Sequence, residues 1–201
     1  MRNVQENYCP ICGHENVLKV EAQRKSPFYK NKDYLYYECP RCGNFFISDQ
    51  LDRNLVQEEK PLTLISSWIR EQNEIEREVS LTTDVYERLK KDLRMPNVSE
   101  KQFKLMQALE RRTNHGKWID FKENMEVFIA LGWCNDLEEL IFFIKTLIER
   151  KFLIGEGTET WVNKATHIEI NLPSFIQITA TGWDYLDEYK RRKPKDSKKA
   201  L

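Results

Sequence analysis

The sequence predicts an α+β chain: a small metal-stapled module, a helical stretch and a larger mixed unit. Three observations predict it. Two Cys-x-x-Cys-Gly knuckles stand near the N-terminus, Cys9-Pro10-Ile11-Cys12-Gly13 and Cys39-Pro40-Arg41-Cys42-Gly43. From Pro61 to Arg150, apolar residues recur at helical spacing. Short β-favouring runs follow between Phe152 and Ile178, and a last helical stretch runs to about Arg192.

The knuckles come first. Zinc takes four soft ligands in a tetrahedron, and one tight turn can supply two of them. Cys9, Cys12, Cys39 and Cys42 are therefore read as the ligands of one structural zinc ion. Gly13 and Gly43 stand where such a turn needs a residue free of Cβ strain. Four thiols in this spacing suit a reducing cytosol better than a secreted disulfide frame. Lys+Arg and Asp+Glu number 32 each, so the formal net charge is zero and any nucleic-acid surface has to be a local patch. No apolar run approaches the roughly 20 residues that span a bilayer. The first residues also lack the apolar core of a signal peptide. These points favour a cytoplasmic location without membrane contact.

Residues 1–55 read as a zinc ribbon. Val17–Val20, Tyr34–Tyr37 and Asn44–Ile47 favour strands, and Ser26–Asp33 reads as a loop. So short a module buries too little to fold alone, and structural zinc supplies on the order of 10 kcal/mol. Arg24, Lys25, Lys30, Lys32 and Arg41 suit a phosphate binder, but Glu15, Glu21, Asp33 and Glu38 are interspersed. Phe28, Tyr29, Tyr34, Tyr36, Tyr37, Phe45 and Phe46 suit either base stacking or the ribbon's own core.

Residues 56–98 read as a helical linker. A helix opens at Pro61, with Leu62, Ile65, Trp68 and Ile69 inward and Arg70, Glu71, Glu74 and Glu76 on the solvated side. A second starts at Thr82 or Thr83 and runs to Leu93, until Met95-Pro96 breaks it. Residues 99–192 form the larger unit. Ser99 and Gln102 read as a capping box opening a helix that ends near Gly116. An extended link at Trp118–Asp120 leads to a helix over Phe121–Leu131, ended by Gly132. Asn135 or Asp136 then caps a helix reaching Arg150. Phe152–Gly155, Ile168–Ile170 and Phe175–Ile178 read as strands, and Gly182 to Arg192 as the last helix. Three helices, a hairpin and a closing helix is the order of a winged helix-turn-helix. Residues 193–201 are a basic tail.

Two junctions carry a resemblance to winged-helix proteins. Leu147-Ile148-Glu149-Arg150-Lys151-Phe152-Leu153-Ile154 resembles their helix-to-strand junction "L-x-E-x-G-x-I", with Lys151 where that family usually has Gly. Ile178-Thr179-Ala180-Thr181-Gly182-Trp183 resembles their "L-T-x-x-G" entry to the closing helix. There, the resemblance implies, Thr caps the helix and Gly permits a tight approach. The whole chain also resembles bacterial proteins with a Cys-Pro-x-Cys-Gly ribbon, a "S-x-W-I-R-E-Q-N" helix and a winged helix ending in "T-x-x-G-W". Here these are Cys9–Gly43, Ser67–Asn73 and Thr179–Trp183. In that group the module often precedes an effector similar to nucleoside deoxyribosyltransferases, and the proteins look like anti-phage or stress-response effectors. The resemblance implies either a stand-alone version or the front part of a longer protein.

The helix in the recognition position, Asp136 to Arg150, carries Asp136, Glu138, Glu139 and Glu149 against Lys145 and Arg150. Groove-reading helices present Arg, Lys, Asn or Gln to bases. Carboxylates at its N-terminal end would face phosphates that repel them, and Phe142 beside Phe143 adds apolar surface for a partner. Candidate nucleic-acid contacts lie elsewhere: Arg111, Arg112, Lys117, the wing residue Lys164, and Lys190, Arg191, Arg192 and Lys193 in the basic tail. No phosphate loop or nucleophile–base arrangement is legible. Cys134, in Leu131-Gly132-Trp133-Cys134, reads as a buried thiol, and His14 as a residue beside the first knuckle. The expected function is a non-catalytic sensor or adaptor that binds a protein partner or nucleoprotein assembly, in bacterial defence. The alternative is a nucleic-acid-binding transcriptional regulator.

Overall fold

A computed structural model describes residues 8–15, 17–30, 32–55, 62–162 and 169–192. They fall into two compact units. One is drawn from Met1–Pro96 with Ile129–Asn135, the other from Asn97–Phe128 with Asp136–Leu201.

In the first unit, strand β1 (Leu18–Glu21) pairs antiparallel with β2 (Tyr34–Cys39), and β2 with β3 (Gly43–Ser48). The second knuckle is the turn between β2 and β3, closing at the Cys39–Gly43 pair. A two-residue strand, β4 (Ser80–Leu81), runs parallel along β3. The same unit holds the helices α1 (Asp49–Leu55), α2 (Thr63–Glu74) and α3 (Thr83–Asp92). The helix α3 starts at Thr83, as expected, and Thr82 caps it, its hydroxyl accepting from Val85 N–H at 3.3 Å.

Period-two alternation divides the aromatic residues between the two faces of this sheet. Tyr37, Phe45 and Ile47 face one side with the four cysteines, Leu51, Ile65, Ile69, Tyr86 and Leu89. The helices expected as a linker thus share a core with the ribbon. Tyr36 and Phe46 face the other side, covered by Ala22 and Tyr29, with Tyr29 stacked on Phe46 at 4.1 Å. The aromatic residues proposed for base stacking are therefore mostly core. Phe28 is the exception at 68% exposed, with Lys32 Nζ 3.6 Å from its ring centre.

The second unit opens with α4 (Val98–Arg112). Its capping box is Asn97 with Glu100, not Ser99 with Gln102: Glu100 N–H donates to Asn97 Oδ1 at 3.0 Å, and Asn97 N–H to Glu100 Oε2 at 2.9 Å. The helix also ends sooner than expected, at an extended Thr113, and Gly116 serves the following turn with φ +79°. After β5 (Ile119–Asp120) comes α5 (Phe121–Leu131), capped by Asp120 Oδ1, which accepts from Glu123 N–H at 3.0 Å. Asp136 caps α6 (Leu137–Glu149) in the same way, accepting from Glu139 N–H at 2.9 Å.

Strands β6 (Leu153–Glu156), β7 (Glu159–Val162), β8 (Glu169–Leu172) and β9 (Phe175–Ile178) follow, then α7 (Ala180–Arg192). One sheet has the order β5-β9-β6; β7 and β8 form a separate antiparallel ribbon. The Thr179–Gly182 junction is built as its motif implies. Thr179 Oγ1 accepts from Gly182 N–H at 3.1 Å and donates to the carbonyl of Lys151 at 2.6 Å. A Cβ on Gly182 would sit 2.2 Å from the carbonyl oxygen of Phe152, so only glycine allows this approach. Lys151, where the resembling family has Gly, takes the left-handed backbone at φ +61° all the same.

Candidate metal centre

Each knuckle is folded by its own backbone. In the first, Cys9 N–H donates to the His14 carbonyl and Gly13 N–H to the Cys9 carbonyl, both at 2.9 Å, with Gly13 at φ +71°. The His14 ring lies against the Glu15 carbonyl, 2.5 Å from Nδ1. In the second, Cys42 N–H points at Cys39 Sγ at 3.4 Å, and Gly43 has φ +87°. Both glycines occupy the left-handed region that their motif predicts.

The knuckles bring together Cys9, Cys12, Cys39 and Cys42, all buried, with sulfurs within 4.8 Å of one another. Cys9 and Cys42 sulfurs are 3.7 Å apart, those of Cys12 and Cys39 3.5 Å. Four sulfurs about 2.3 Å from a tetrahedral zinc ion lie about 3.8 Å from each other. The donor set therefore fits a thiophilic metal ion and is consistent with zinc.

Electrostatics point the same way. Hydrogen bonds from Cys12, Cys42 and Cys9 hold the Cys39 thiol far below the ordinary thiol range. Its neighbours move oppositely: hydrogen bonding to Cys12 and Cys39 pushes Cys9 well up, and burial pushes Cys42 up. In this dry pocket Cys9, Cys39 and Cys42 thus hold their protons unequally. A divalent cation is what lets all four lose them together.

The outer layer comes from α2. Arg70 Nε donates to the Arg41 carbonyl at 2.8 Å, and its Nη2 to the carbonyls of Cys39, at 3.4 Å, and Pro40. Asn73 pairs with the backbone of Asn44, accepting at 2.8 Å and donating at 3.0 Å. Ser66 Oγ lies 3.2 Å from Cys42 Sγ. Arg70, expected on the solvated side of its helix, is instead turned onto the second knuckle. Ser66, Arg70 and Asn73 are spaced i, i+4, i+7, one polar stripe on α2 beside its apolar one. That spacing is the signal a sequence reading could have used. Glu71 is also engaged, accepting from Trp133 Nε1 at 2.7 Å.

The residues proposed for nucleic acid are scattered by comparison. Arg111, Lys117 and Arg191 are exposed. Arg112 folds back, donating to the Ala108 carbonyl at 3.1 Å with its guanidinium 5.7 Å from the Phe128 ring centre. Lys190 is paired with Glu110 at 2.6 Å, and Arg192 with Glu188. Lys164 and Lys193 lie outside the described residues. Along α6, Phe143 is buried and Phe142 is 60% exposed, so one aromatic residue rather than two adds apolar surface. Cys134 is buried, as expected. Among the described residues no helix is long and apolar enough to cross a membrane. No protein-family model, curated protein or solved structure matches the chain.

Proposed function

We propose that this chain is a non-catalytic binding module, a structural zinc ribbon beside a winged helix, that docks on a protein partner or nucleoprotein assembly. The spacing of the four sulfurs supports zinc. With four thiolates bound, the ion keeps no open position at which to activate water. The sequence α4-β5-α5-α6-β6-β9-α7, with sheet order β5-β9-β6 and the ribbon β7-β8 in the place of a wing, supports the winged helix. A role in bacterial defence and an effector partner follow from the motif resemblance; phage plaquing with and without the gene tests the first.

The observation that carries the docking reading is the surface of α6. Its N-terminal end presents Asp136 and Glu138, both exposed, and one turn on stands the exposed Phe142. Phosphates repel that end of the helix, whereas an apolar residue rimmed by charge suits a protein surface. A second reading, as a nucleic-acid-binding regulator, draws on Arg111, Lys117 and Arg191, exposed in the unit that also exposes Trp118 at 41%.

Titrating labelled duplex and single-stranded DNA at low and moderate salt separates the two. The docking reading expects no binding at low salt. Binding that weakens steeply with salt and is lost in Arg111→Glu/Arg191→Glu would replace it with the second reading. Elemental analysis of purified protein should find one zinc ion per chain.

A further inference from the structure

We propose that Arg70 is the counter-charge of the metal centre and sets its metal affinity, beyond bracing α2 against the ribbon. A divalent ion on four thiolates leaves a doubly negative cluster in a buried pocket. Arg70 brings a permanent positive charge to its edge. The guanidinium holds the three successive carbonyls of Cys39, Pro40 and Arg41, the backbone arc that carries both sulfurs of the second knuckle.

One peptide shows the coupling. The Arg41 carbonyl accepts from Arg70 Nε at 2.8 Å, while the amide of that same peptide, Cys42 N–H, points at Cys39 Sγ at 3.4 Å. A cation on the oxygen polarises the peptide and strengthens the N–H as a donor to the sulfur. Charge and dipole therefore act in one direction, favouring the thiolate. Asn73 supplies the internal contrast. It clasps the next residue, Asn44, through two hydrogen bonds at 2.8 and 3.0 Å but carries no charge. If α2 only braced the knuckle, Arg70 and Asn73 would act alike. The inference rests on the zinc reading above and is independent of any partner.

The test compares wild type, Arg70→Met, Arg70→Lys and Asn73→Ala. Zinc affinity is measured by competition with a chromophoric chelator, and thermal melts are recorded on the zinc-saturated proteins. Arg70→Met should bind zinc about 10–100-fold more weakly, the range found when outer partners of a metal site are removed. Arg70→Lys should recover part of this, since it keeps the charge but cannot span three carbonyls. Asn73→Ala should lower the melt and leave the affinity within about threefold. In cobalt-substituted protein the sulfur-to-metal charge-transfer band should move in Arg70→Met and stay in place in Asn73→Ala.

Arg70→Met that binds zinc as wild type does, with a melt lowered as in Asn73→Ala, makes Arg70 a brace and overturns the proposal. If Arg70→Met does not fold, the neutral polar Arg70→Gln compared with Arg70→Lys decides: affinity several-fold below that of Arg70→Lys supports the proposal, and affinity equal to that of Arg70→Lys overturns it. Wild-type protein that binds no zinc overturns the metal reading itself, which is a separate result.

Discussion

Replacing Asp52 with alanine removes the acceptor at the centre of a buried polar cluster. Asp52 lies on α1 at 3% exposure. Its Oδ1 accepts from the Tyr37 hydroxyl at 2.8 Å and its Oδ2 from Lys19 Nζ at 2.9 Å. The two partners respond differently to its loss. Tyr37 is 1% exposed, so its hydroxyl is left buried and unpaired, which costs about 1–3 kcal/mol. The Lys19 side chain is 33% exposed and can return to water, so its pair adds only about 0–1 kcal/mol. Asp52→Ala should therefore destabilise the chain by roughly 2–3 kcal/mol, most of it from Tyr37.

This origin can be checked separately from the size. Tyr37→Phe in the Asp52→Ala background removes the orphaned hydroxyl and should restore part of the loss. The cycle should give a coupling between the two side chains of about 0.5–3 kcal/mol. Urea unfolding of the metal-loaded protein, extrapolated to water, provides the values. Asp52→Ala within about 0.5 kcal/mol of wild type, or additive single substitutions, would refute the reasoning.

Two further outcomes follow from packing and from buried phenols. Burial pushes the Tyr37 phenol far above its ordinary value, and the Asp52 carboxylate adds to the shift. The folded chain therefore keeps a proton that the unfolded chain releases above about pH 10. The stability this represents is full below that pH and declines as pH rises, by up to about 1.4 kcal/mol per unit. Denaturant unfolding across alkaline pH should show the decline, and Tyr37→Phe should flatten it; an unchanged slope in that variant removes the assignment. Gly182→Ala would place a methyl 2.2 Å from the Phe152 carbonyl and 2.8 Å from Ile178 Cγ2, so α7 cannot seat without shifting. A loss of about 2–4 kcal/mol is expected, and a near-wild-type thermal melt would contradict the close approach.

The parts of this molecule legible in the sequence are those decided within a few residues. The knuckles are local because Cys-x-x-Cys places two sulfurs in one turn, and the glycine after each takes φ +71° or +87° where the motif needs it. Asp136 and Thr179 could be read as caps because the N–H each accepts lies three residues on. Local rules become ambiguous where two candidates overlap. Asn97-x-x-Glu100 and Ser99-x-x-Gln102 both fit the capping box. Asn97 follows Pro96, which ends any earlier helix, and a charged Glu100 gains from the helix dipole where Gln102 does not. Gly132 does follow the last residue of α5, Leu131, as expected, but the left-handed residue is the next one, Trp133, at φ +54°, whose indole N–H is held by Glu71.

That bond joins residues 62 apart in the chain, and the hydrogen bonds of Arg70 to the second knuckle span 29 to 31 residues. Beyond the polar stripe it shares with Ser66 and Asn73, nothing near Arg70 distinguishes it from a solvated charge. Its role exists only once β2 and β3 have turned the knuckle towards α2. The same holds for β4, two residues long and recognisable only by its pairing with β3. So the ligands of the centre are written in its motif, whereas the charge that completes it is written in the approach of a helix. A motif reading can count thiolates, but it cannot weigh the field they sit in, and that field decides how tightly the same four sulfurs hold an ion.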